Sequence, residues 1–72
     1  MAAKTNKLYY ALVDRNGWKE FHVSRDKADV LSLTAMSRKI PLHSNLLEKF
    51  KEEVAYEMKQ YGSIDVSAEV KP

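Results

Sequence analysis

The chain contains no cysteine, only two glycines and two prolines, and no long apolar run. The missing cysteines exclude disulfides, thiolate nucleophiles and cysteine-based zinc sites together. They also favour a reducing compartment, so a cytoplasmic setting is expected. No segment approaches the ~20 apolar residues that a membrane span needs, and no membrane partner is expected. The opening "MAAKTNK" is polar and basic, with no hydrophobic stretch after it that would make a signal peptide. Starting at a plain Met, the chain reads as a complete small reading frame. Gly17 and Gly62 are each claimed by a turn or a helix cap, which leaves no glycine-rich loop to cradle a phosphate. Repeats and low-complexity segments are also absent.

What remains is a 72-residue, 8.3 kDa chain that reads as one small domain over residues 1–72. A chain of this size buries only about 60% of the surface its unfolded form exposes, so its core is thin. Residues 1–7 and 71–72 read as frayed ends. The net charge of +2 is unevenly spread. Met1–His43 holds 8 basic residues against 4 acidic ones, and Ser44–Pro72 holds 4 against 6. Such asymmetry can mark a nucleic-acid or acidic-protein face; folding that mixes the two halves would erase it.

"YYALVDRNGWKEFHV", Tyr9 to Val23, reads as two strands around Asn16-Gly17, a dipeptide that tolerates positive φ at both positions. A type I′ turn there sets Phe21 opposite Leu12 and Val23 opposite Tyr10. A bulged four-residue turn from Asp14 shifts the pairing by one. The I′ register buries Leu8, Tyr10 and Leu12 and is preferred, because the bulge would expose two leucines. It leaves Tyr9, Ala11, Val13, Trp18 and His22 on an outer face.

In "SRDKADVLSLTAMSRKI", Ser24 or Asp26 can cap a helix with acids early and Arg38 and Lys39 late, as the helix dipole favours. The expectation is a helix over roughly Asp26–Lys39, with a short strand through "VLSLT" as its rival. Pro41 ends the element. A second helix, Asn45–Tyr61, follows from Leu47, Phe50, Val54, Met58 and Tyr61 at helical spacing, with Gly62 as the left-handed residue after it. "SIDVSAEV" alternates as a strand, with Ile64, Val66, Ala68 and Val70 inward. The expected fold class is therefore α+β: a small antiparallel three-stranded sheet with two helices packed on one face, in the order β-β-α-α-β.

Catalytic chemistry is poorly represented. His22 and His43 have neither partner spacing nor an HxH neighbour, and read as surface or half-buried histidines. Glu48, Glu52 and Glu53 interleave with Lys49 and Lys51 as a solvated helix face. No enzyme, cofactor or metal is expected.

The leading reading is a small non-enzymatic protein-binding module, an inhibitor, adaptor or regulator that occupies a surface of a larger protein. Its compact style suits phage or mobile-element accessory proteins. Its candidate site is Tyr9, Val13, Arg15, Trp18 and His22, since Trp and Tyr dominate interface hot spots; the bland alternative is that Trp18 folds across its hairpin neighbours. The second reading is nucleic-acid binding through the aromatic hairpin and a basic face of Lys19, Arg25, Lys27, Arg38 and Lys39. Because two helices cover one sheet face only, the expectation for the other is that it stays exposed, meets a partner, or pairs with a second copy in a homodimer.

Overall fold

The computed structural model describes residues 7–71. The chain runs β1 (Tyr9–Arg15), β2 (Trp18–Ser24), α1 (Lys27–Leu31), β3 (Met36–Pro41), α2 (Leu47–Gln60) and β4 (Ile64–Asp65), then a 3-10 turn over Ser67–Glu69. The fold is α+β, and the described residues form two helices and one four-stranded mixed sheet in the order β3-β2-β1-β4. β2 is antiparallel to both its neighbours, whereas β4 lies parallel to β1. The expected three-stranded antiparallel sheet and β-β-α-α-β order are thus corrected to four strands and β-β-α-β-α-β. Apart from Lys7 and Lys71, the ends expected to fray lie outside the described residues.

Turn chemistry fixes the hairpin. Asn16 (φ 56°) and Gly17 (φ 85°) both take positive φ, which is type I′ geometry. The register follows: Leu12 opposes Phe21 and Tyr10 opposes Val23. The expected single buried face does not follow. Phe21, Val54 and Met58 form a core under α2 with Tyr10, Leu12, Val23 and Phe50 against it. On the opposite face Ala11 and Val13 are buried with Val30 of α1 and with Val66 and Val70, which flank the 3-10 turn. The helices therefore lie on opposite sides of the sheet, not on one, and the chain closes both hairpin faces itself.

The correction at residues 26–41 has a local cause. Asp26 caps α1 as expected, its carboxylate accepting the Ala28 N–H at 3.0 Å. The helix then stops at Leu31. Leu33 takes φ 60°, its N–H donates to the Val30 carbonyl, and the Thr34 N–H donates to the Asp29 carbonyl at 2.9 Å. This is a Schellman stop with leucine in the glycine's place. It frees Met36–Pro41 to extend along β2, and neither the long helix nor a strand through Val30–Thr34 forms. Pro41 asks for extended backbone before it, and here that backbone is a strand.

At its C-terminus α2 ends by the same device with the usual residue: Gly62 (φ 64°) donates to Lys59, and Ser63 donates to Met58. Beyond it, the strand expected over "SIDVSAEV" is cut to Ile64–Asp65. The Asp65 carboxylate accepts both the Ser67 N–H and its hydroxyl, turning the chain into the 3-10 segment. Val66 and Val70 stay buried, while Ile64 and Ala68 face solvent.

Candidate interaction surface

The outer hairpin face expected to bind a partner is mostly interior. Val13 and His22 are buried, Tyr9 is half-buried against the same cluster, and Trp18 is 37% exposed. His22, only 2% exposed, sits among polar partners. Its Nε2 lies 2.9 Å from Glu20 Oε1, and Arg15 donates to both Glu20 oxygens at 3.1 and 3.3 Å. The His22 hydrogen bond, reinforced by Arg15 and opposed by burial, holds the Glu20 carboxyl below its ordinary range. A carboxylate-histidine pair is part of a nucleophilic triad. Here, however, His22 Nδ1 is buried and meets no hydrogen-bond partner among the described residues. The arrangement ties β1 to β2. Closure of this face also removes the surface considered for a homodimer.

The expected basic face is likewise divided. Lys19 pairs with Asp14, Lys27 with Glu69, and Arg38 with Glu57 at 3.8 Å. Arg38 lies over the Phe21 ring on the α2 side, whereas Lys39 lies over Trp18 on the other. Arg25 is exposed beyond the end of β2. Among the described residues no three His, Asp or Glu side chains converge on a metal site, and no helix is long and apolar enough to cross a membrane.

The open surface lies at the other end of the sheet. Hydrogen bonds alternate along β2: Trp18, flanking the turn, bonds β1, and so do the even-numbered residues after it. Lys19, Phe21 and Val23 therefore bond β3, where they oppose Ile40, Arg38 and Met36. Ser37 and Lys39 turn their N–H and C=O groups outward, whereas Pro41 has no N–H and its carbonyl accepts the Ser44 N–H at 3.0 Å. Among the described residues no strand pairs with this edge, and Met36 to Lys39 are all exposed.

Beside the edge, α2 carries exposed aromatic rings. Met36 is 80% exposed, Tyr56 68% and Tyr61 65%. A hollow of about 190 Å³ between Phe21, Val23 and Met36 adjoins one of about 370 Å³ bounded by Tyr56 and Tyr61, and the two share Arg38 and Glu57. Sequence reading singled out Arg38 and Lys39 here but missed Met36, Ser37, Tyr56 and Tyr61. The legible signal was Tyr56, which stands off the apolar stripe of α2.

No family model, curated protein or solved structure matches the chain.

Proposed function

We propose that the protein is a non-enzymatic binding module, an inhibitor, adaptor or regulator that works in the cytosol by docking on a larger protein. The docking surface is the edge of β3 with the neighbouring flank of α2, in place of the hairpin face. The observation that carries this reading is a six-residue edge strand with outward backbone groups beside exposed Met36, Tyr56 and Tyr61. Unpaired edges are templates for strand addition, and a methionine with two tyrosines supplies adaptable and aromatic contact area.

The test is affinity capture from lysate of the source cell, with wild-type protein and a Met36→Asp, Tyr61→Ala double variant. Both residues are exposed, so the variant keeps its fold. A protein retained by the wild type and lost by the variant is the expected result. Identical capture by both removes this surface from the reading. Retention abolished by nuclease and by moderate salt would instead identify nucleic acid as the partner.

A further inference from the structure

A second copy is the simplest candidate to cover the β3 edge, and the charges of β3 oppose it. Two-fold pairing of β3 with β3 must bring outward-bonding residues together. The registers of greatest overlap then set either Lys39 against Lys39 or Arg38 against Arg38, on the same face of the sheet. Like charges directly opposite destabilise a ladder, fully so for Lys39 and less for Arg38, which has Glu57 at 3.8 Å. A lysine in the edge and a proline at its end are also how natural edges resist self-pairing.

The same charges select a different strand. On the α1 side of the sheet, Lys39 lies 5.1 Å from the Trp18 ring centre, while Glu20, its neighbour across the ladder, is already held by Arg15 and His22. On the α2 side, Glu57 pairs with Arg38 and Glu53 lines the same hollow, so an incoming acid there meets acids. Met36, Tyr56 and Tyr61 offer apolar contact on that side. We infer that β3 accepts, as a fifth strand, an extended segment of a partner protein that alternates apolar and acidic residues. Its apolar side chains lie toward Met36, Tyr56 and Tyr61, and its carboxylates lie toward Lys39. This rests on the protein-binding reading above and adds the partner's chemistry to it.

The probes are a short blocked peptide of alternating valine and glutamate and its valine-lysine counterpart, titrated into the ¹⁵N-labelled full chain. The glutamate peptide is expected to shift the Ser37 and Lys39 amides and slow their exchange. The lysine peptide should bind more weakly by up to about fivefold, the upper end of what one cross-strand ion pair contributes. Lys39→Glu, at an exposed position, should reverse that preference. The inference is overturned if neither peptide reaches the two amides or if both bind alike. It is also overturned if the protein alone protects those amides in a dimer that dissociates on dilution. If the peptides fail while capture of a cellular partner still depends on Met36 and Tyr61, the assigned chemistry is wrong and the binding module stands. If capture fails as well, both readings fall.

Discussion

The two faces of the hairpin are closed by different means. Under α2 the contacts are apolar, with Phe21, Val54 and Met58 at the centre and Arg38 over the Phe21 ring. Under α1 small side chains, Ala11, Val13 and Val30, pack beside a polar group of buried Glu20 and His22 with half-buried Arg15. A five-residue helix and a 3-10 turn cannot bury much area. The second face therefore combines a small apolar cluster with hydrogen bonds, and it should respond to pH and to loss of single polar atoms. The first should respond mainly to lost volume.

The largest expected effect lies on the α2 side. Phe21→Ala should cost about 3–4 kcal/mol, since it empties the centre of that cluster and removes the surface under Arg38. Denaturant unfolding measures it, and a loss under about 1 kcal/mol would mean that the α2 face is not a packed core.

Next comes His22→Ala on the α1 side, expected at about 2 kcal/mol. It removes the hydrogen bond that does most to hold Glu20 ionised and leaves a buried acceptor short of a donor. The sign of the accompanying pH effect is fixed. The folded-state pKa of Glu20 lies below its ordinary 4.5, so its contribution is complete above about pH 4.5 and is lost as pH falls through the lower, folded value. Glu20→Gln should flatten stability against pH in that acid window, whereas Val54→Ala should lower the whole curve and keep its shape. Parallel acid limbs for wild type and Glu20→Gln would contradict this assignment.

Smaller again is Ser67→Ala, at about 1 kcal/mol. The Ser67 hydroxyl accepts the Leu12 N–H at 2.9 Å, where β4 has already ended. Hydrogen exchange at the Leu12 amide should accelerate in this variant; unchanged exchange would show that water replaces the hydroxyl without cost. Least affected is Met36→Ser. It should leave stability within about 0.5 kcal/mol of wild type, because this side chain belongs to neither cluster.

The legible part of the fold was the part written in local chemistry. Asn16-Gly17 marked the hairpin but left two registers open; the cost of exposing leucines chose the one that forms, and Gly62 marked the end of α2 because it can take positive φ. The end of α1 was hidden because Leu33 occupies a left-handed position that leucine adopts at a cost of roughly 1–2 kcal/mol. The early acids and late bases of that segment imitated a helix dipole while Arg38 and Lys39 sat in an edge strand. The truncation of β4 depended on Asp65 and Ser67 bonding each other, a competition that alternation alone does not display.

Of the candidate surface, the charges of β3 were visible and its exposure was not. Whether a strand is an edge depends on which segment pairs beside it. His22 was placed outside because alternation assigns a face but not what covers it. Its cover comes from short segments with weak periodicity.

The parallel placement of β4 beside β1 has a mechanical consequence. The start of β1 and the end of β4 lie at opposite ends of two adjacent strands that run the same way. Tension between those ends pulls the strands past each other. It loads three bonds at once: Ile64 N–H to the Leu8 carbonyl, Val66 N–H to the Tyr10 carbonyl and Leu12 N–H to the Ser67 hydroxyl. A hairpin pulled at its open end releases its bonds one by one, like a zip. Here the load is shared as in a lap joint, so the molecule should hold its length under force and then yield in a single step.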